Sequence, residues 1–129
     1  MNPFKPIDDS RQLTNLTIGK RGEEIAKRFL EKKGYKIIEQ NYRTKYGEID
    51  LVCQKGKELI IVEVRTKVGD LYGTPEESLN YRKLRKLRLN ALAYVSRKRW
   101  KGPYQIDAVC IVLKPDQTLE RIEHYENIV

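Results

Sequence analysis

The chain has 129 residues, with 26 Lys plus Arg against 18 Asp plus Glu and a net charge of +8. That length forms one domain with a real core, and 40% hydrophobic against 34% charged residues excludes a disordered chain. No apolar run approaches the roughly 20 residues of a membrane span, and the first ten residues lack the apolar core of a signal peptide, so the expectation is a cytoplasmic protein without a membrane partner.

Residues 1–13 are polar, hold two prolines and read as a flexible arm, leaving 14–129 as the single domain. Residues 16–33 are helical, with Leu16, Gly19, Gly22, Ala26, Phe29 and Leu30 on one side. Gly19 and Gly22 let another backbone approach closely, and Gly34 is a natural stop. Residues 35–38 form a short strand candidate. Residues 48–54 form a stronger one, whose alternation sets Ile49, Leu51 and Cys53 on one face and Glu48, Asp50 and Val52 on the other. Lys55, Gly56 and Lys57 turn the chain into a return strand, residues 58–67, with Ile61, Glu63, Arg65 and Lys67 on one face.

A glycine-containing loop follows. Thr74 and Pro75 start a helix, and Asn80 offers a second start, so residues 75–98 read as one helix or two. Residues 104–113 form an apolar strand interrupted by Asp107, and residues 119–125 form a last edge strand. The order is α-β-β-β-α-β-β, an α/β or mixed-sheet single domain. Cys53 and Cys110 lie in apolar strands and read as buried, inert thiols of a reducing compartment.

The charge is concentrated. Arg82, Lys83, Arg85, Lys86, Arg88, Arg97, Lys98, Arg99 and Lys101 stand in residues 81–101 without one acid, leaving 17 bases against 18 acids elsewhere. A solvated helix face normally carries Glu partners four residues away, and this one has none. The first eight of these bases are therefore candidates to grip a nucleic acid. Its apolar stripe, Leu84, Leu87 and Ala91, suits a core rather than a membrane surface.

Asp50 and Glu63 fall nearly opposite each other on the hairpin. At about 4 Å their repulsion costs about 1 kcal/mol in bulk water and about 4 kcal/mol at an effective dielectric of 20. Two things can offset it. Arg65 and Lys67 project to the same face as Glu63. Alternatively, both carboxylates hold a divalent cation, and oxygen ligands select Mg²⁺ or Mn²⁺. Together these describe a phosphodiester hydrolase, in which the metal activates water and a nearby cation stabilises charge on phosphorus. A salt-bridge ladder is the simpler alternative. Asp107 is costly if buried unpaired, and Lys83 is a base that could pair with it. His124, the single histidine, reads as exposed and inert. Trp100 and Tyr104 either stack on bases or anchor the helix end.

The string Gly19-x-x-Gly22-Glu23-x-x-Ala26, then Gly34-Tyr35, Asn41-Tyr42-Arg43, GEIDLV (residues 47–52), IVEVRTK (61–67), Gly73-x-Pro75-x-Glu77, Lys83 and Tyr104-Gln105-Ile106-Asp107 resembles the YraN-like family. That is a widespread bacterial family without a settled function, similar in fold to Holliday-junction resolvases and restriction-endonuclease-like nucleases. The resemblance implies an α/β fold with a central mixed sheet flanked by helices, and a metal-dependent endonuclease acting on DNA, more than on RNA, with branched DNA as one candidate substrate. It implies Mg²⁺ or Mn²⁺ on Asp50, Glu63 and the Val64 carbonyl, catalytic roles for Arg65 and Lys67, and Glu23 brought in from the first helix. A resolvase-like activity also implies a homodimer, since two strands need two cuts. One departure bears on catalysis. The family usually reads VEVK-x-R, whereas Arg65 holds the lysine position here and Lys67 follows two residues on. Arginine cannot serve as a general base. The alternative reading is a non-catalytic nucleic-acid-binding module on the same fold; a third is a scaffold whose basic helix meets an acidic protein.

Overall fold

A computed structural model describes residues 15–69 and 71–129; the predicted arm at 1–13 lies outside the described residues. Helix α1 (Asn15–Lys32) precedes three strands, β1 (Lys36–Thr44), β2 (Gly47–Lys55) and β3 (Glu58–Val68). A single 3₁₀ turn (Glu76–Ser78) and helix α2 (Tyr81–Arg97) lead to β4 (Tyr104–Leu113) and β5 (Leu119–Tyr125). The sheet order is β1-β2-β3-β4-β5. β3 and β4 pair in parallel and the other neighbours antiparallel. A parallel pair needs a crossover, and α2 supplies it. The α/β architecture expected from the sequence is the one observed.

The helices cover opposite faces of the sheet. On one face Ile25, Ala26 and Leu30 of α1 pack with Leu51, Cys53, Ile60, Val62, Val109 and Ile111. On the other, Leu87, Ala91 and Tyr94 of α2 pack with Ile49, Val52, Leu59, Ile61 and Ile106. Gly34 ends α1 at φ +89°, and the Tyr35 N–H returns to the Leu30 carbonyl at 3.0 Å. Both cysteines are buried and free, and burial pushes both thiols up to about 12.

Three local readings change. The short strand candidate at 35–38 extends as β1 to Thr44. Residues 75–98 form two elements, because Asn80 caps α2 by accepting from the Lys83 N–H at 2.9 Å. The predicted alternation of β2 also inverts. Ile49 joins Val52 against α2, while Leu51 joins Cys53 against α1, so the phase changes at Asp50.

Asp107 is wholly buried and pairs with His124, not Lys83. His124 Nε2 stands 2.8 Å from Asp107 Oδ2, and Lys33 Nζ stands 2.7 Å from His124 Nδ1. An ammonium only donates, so Nδ1 accepts and the Nε2–H donates to Asp107. Gln105 Nε2 and the Asn127 N–H satisfy the other carboxylate oxygen, each at 2.9 Å. His124 is thus a buried partner with a side chain only 3% exposed. The pairing depends on β5 lying beside β4, which residue spacing does not reveal.

Candidate active site

Regular pairing of β2 with β3 ends at Leu51 opposite Val62, so Asp50 and Glu63 are the next facing positions. The expected opposition of the two acids is present. On its other side Asp50 faces Asn41 of β1, between the Gln40–Leu51 and Tyr42–Ile49 pairs. Asn41 has φ +50°, a left-handed conformation that asparagine tolerates better than most residues. The sheet is irregular here, and Asp50 Oδ2 accepts the Val64 N–H at 2.8 Å.

Glu63 is only 3% exposed. Lys83 Nζ of α2 lies 3.1 Å from Glu63 Oε2, and Arg65 Nη1 lies 3.3 Å from the same oxygen. Two cations therefore neutralise Glu63, while among the described residues none forms an ion pair with Asp50. Burial, then the charge of Glu63, pushes the Asp50 carboxyl up to about 8, against the opposing Val64 N–H. Glu23 adds to the rise. The rise favours a proton on Asp50, shared with Glu63 by a hydrogen bond.

Glu23 arrives because α1 comes close to β3. A Cβ on Gly22 would stand 1.8 Å from Thr66 Oγ1, so only glycine permits this approach. Gly19, by contrast, has nothing within 4 Å of a built Cβ. Asn41 Nδ2 bridges Glu23 Oε1 at 2.9 Å and Glu48 Oε1 at 3.1 Å. Glu48 is thereby tied to the margin of the site.

Arg65 is braced from behind. Its Nε donates to Ser78 Oγ at 2.7 Å, and that hydroxyl donates to the Pro75 carbonyl at 2.7 Å. The 3₁₀ turn is itself pinned to β5. Arg121 donates to Glu76 at 2.6 and 3.0 Å and the Tyr125 hydroxyl adds 2.8 Å. Hydrogen bonding from Arg121 first, then Tyr125, holds the Glu76 carboxyl down at about 2. Lys67 lines a cleft of about 590 Å³ with Glu23, Val64, Arg65 and Ser78, between α1, the end of β3 and the loop before α2.

Asp50, Glu63, Val64, Arg65 and Glu23 thus gather at one end of the sheet, with Lys67 on the adjoining wall. Lys83, read from the sequence as a phosphate-gripping base, turns inward to Glu63 instead. Arg82, Arg85, Lys86, Arg88, Arg97, Lys98 and Arg99 are exposed. Lys98 also reaches Glu39 at 3.6 Å. Asn41 and Ser78 were not singled out as site residues. Asn41 appears in the Asn41-Tyr42-Arg43 string, but Ser78 has no sequence signal, because its contact with Arg65 depends on the path of the intervening loop.

Among the described residues no group of three or more His, Cys, Asp and Glu side chains is spaced to hold a metal ion. The donor set is narrower. It is two carboxyls forced together, one of them pushed up by burial and then by the charge of the other. That set fits Mg²⁺ or Mn²⁺, which bind through one or two carboxylates and keep much of their water. Among the described residues no helix is long and apolar enough to cross a membrane.

The sequence profile of the uncharacterised protein family UPF0102 matches residues 22–111, the span that holds Glu23, both acids, Arg65, Lys67 and Lys83. The UPF0102 protein of Thermodesulfovibrio yellowstonii is 40% identical over 115 residues, covering 89% of this chain and 97% of that one. The relative from Thermotoga petrophila is 44% identical over 109 residues, covering 84% and 94%, and that from Rhodococcus opacus is 37% identical over 111 residues, with the same coverage. A profile match that runs from within α1 into β4 and takes in every site position, with relatives 37–44% identical over most of the chain, leads to one conclusion: the chain belongs to the uncharacterised protein family UPF0102.

Proposed function

We propose that this protein is a metal-dependent phosphodiesterase that cuts DNA, with branched DNA a candidate substrate. The carrying observation is the paired Asp50 and Glu63 carboxyls, with Asp50 pushed up to about 8 and Arg65 and Lys83 set against Glu63. Two carboxyls held this close offer a divalent cation a ready pair of oxygen donors, and the cation would take the place of the Asp50 proton. Asp50 and Glu63 would hold Mg²⁺ or Mn²⁺, with the Val64 carbonyl as the third donor. When bound, the metal would activate water and neutralise phosphate charge.

The chain's own groups supply the rest. Arg65, held by Ser78, presents a fixed positive charge beside Glu63 and can stabilise charge gathering on phosphorus. It stays charged throughout, so it takes no proton from water. Lys67 on the cleft wall is placed to meet a phosphate. Glu23, with Asn41 holding one oxygen, adds negative charge at the metal side. Lys83 neutralises Glu63, and its side chain remains 28% exposed toward solvent. The exposed bases of α2 hold the polyanion.

The test is cleavage of duplex, single-stranded, flap and four-way DNA and of RNA, with Mn²⁺, Mg²⁺ or chelator. The expected result is metal-dependent cutting that Asp50→Ala reduces by at least a hundredfold, while binding stays equal or tightens. Full cutting by that variant overturns the site. A second reading, a non-catalytic binding module, is favoured by Arg65, an arginine that cannot act as a general base, standing beside Glu63. It predicts binding without cutting under every metal.

A further inference from the structure

The basic segment is not uniform. Residues 89–96 carry no charge, so the nine bases split into a group at 82–88 and a group at 97–101. The uncharged stretch spans about 12 Å of helix. On its outer side Leu89, Leu92 and Ala93 meet the β1–β2 turn, and Leu92 is 46% exposed. The turn and helix enclose a cleft of about 1050 Å³, larger than the one beside the acids.

The cleft combines two chemistries. Its rim carries Arg43, Lys45, Arg97 and Lys98, with no carboxylate among the lining residues. Its walls carry Tyr42 and Tyr46, and Lys45 Nζ lies 5.2 Å from the centre of the Tyr46 ring. The turn is fastened to the helix. Thr44 Oγ1 hydrogen-bonds buried Asn90 and accepts the Tyr46 N–H at 3.0 Å. The cleft is therefore largely pre-formed.

We propose that this cleft binds an unpaired polynucleotide strand, with Tyr46 and the Leu89–Leu92 floor against its bases and the basic rim on its phosphates. Phosphate alone would not use an apolar floor, and a duplex hides the faces of its bases. An unpaired strand presents both, and base stacking on an aromatic ring tolerates any sequence. A second copy of the chain is a poor occupant, since each copy carries +8 and the rim presents four bases, although Arg43 and Lys98 also pair with Glu48 and Glu39. The inference rests only on the nucleic-acid-binding part of the proposed function; it does not need the acids to cut.

The test uses the full chain in chelator, with fluorescence anisotropy of labelled 12-nucleotide oligothymidylate, 12-nucleotide oligouridylate and a 12-base-pair duplex. Tyr46→Ala and Leu92→Ser are each expected to weaken binding of an unpaired oligonucleotide about tenfold, while duplex binding changes less than twofold. Thermal melts check that both variants stay folded. The tighter of the two oligonucleotides identifies the strand as DNA or RNA. Equal losses on strand and duplex, or no loss on the strand, overturn the cleft while leaving nucleic-acid binding intact. A wild-type chain that binds duplex but neither oligonucleotide also overturns it. A chain that binds none of the three overturns the wider reading as well.

Discussion

Asp50 is the residue whose environment differs most from what its type prefers. A carboxyl in an unfolded chain titrates near pH 4. Folded, burial and Glu63 push it to about 8. Between those values the native state binds more protons than the unfolded state, so stability falls as pH rises and levels off above about 8. Asp50→Asn keeps a neutral side chain and removes that slope. We expect it to match wild type near pH 4 and to be more stable by up to about 5 kcal/mol at pH 8. Urea melts across that range check it; parallel slopes for the two proteins would mean that Asp50 is already ionised in the native state. The same proton opposes a metal. Mn²⁺ affinity of wild type is therefore expected to rise about tenfold per pH unit from 6 to 8 and then flatten, measured by calorimetry. The opposition of Asp50 and Glu63 was legible in the hairpin spacing. The size of its effect was not, because it comes from burial and from Glu23 on another element.

At the scale of elements, the approach of α1 to β3 decides whether Glu23 reaches the site. Helix periodicity placed Gly19 and Gly22 alike, and both cost about 1 kcal/mol inside a helix. The packing separates them. Gly22→Ala drives a methyl into Thr66 and is expected to cost about 1–3 kcal/mol. Gly19→Ala meets open space and is expected to stabilise by up to about 1 kcal/mol. Thermal melts of the two variants should shift in opposite directions; matching shifts would mean that α1 sits farther from the sheet. Other element-level features were partly readable. Asn80 was visible as a second helix start, but the break between the 3₁₀ turn and α2 is decided by its side chain capping Lys83. The inversion of β2 at Asp50 was hidden, because a period of two assumes a regular strand and Asn41 breaks regularity from the neighbouring one.

At the scale of the whole molecule, the positive charge lies over α2 and the acids lie at one end of the sheet beneath it. Binding to a polyanion releases counterions, so affinity should fall linearly with salt on logarithmic axes. Replacing Arg82 and Arg85 together with Gln is expected to reduce that slope by about two on duplex DNA, without altering the unfolding midpoint. An unchanged slope would place the polyanion elsewhere, or make the basic helix a protein-binding face.

The sequence by itself determined the order of elements, the facing acids and the basic segment. Each depends on near neighbours: periodicity, a short hairpin turn and local composition. The tertiary structure alone decided which base meets which acid. Lys83 serves Glu63 and His124 serves Asp107 because helix packing and strand order bring together residues 20 and 17 positions apart. Ion pairing between such residues depends on distance in space, which sequence spacing constrains only inside a single helix or hairpin.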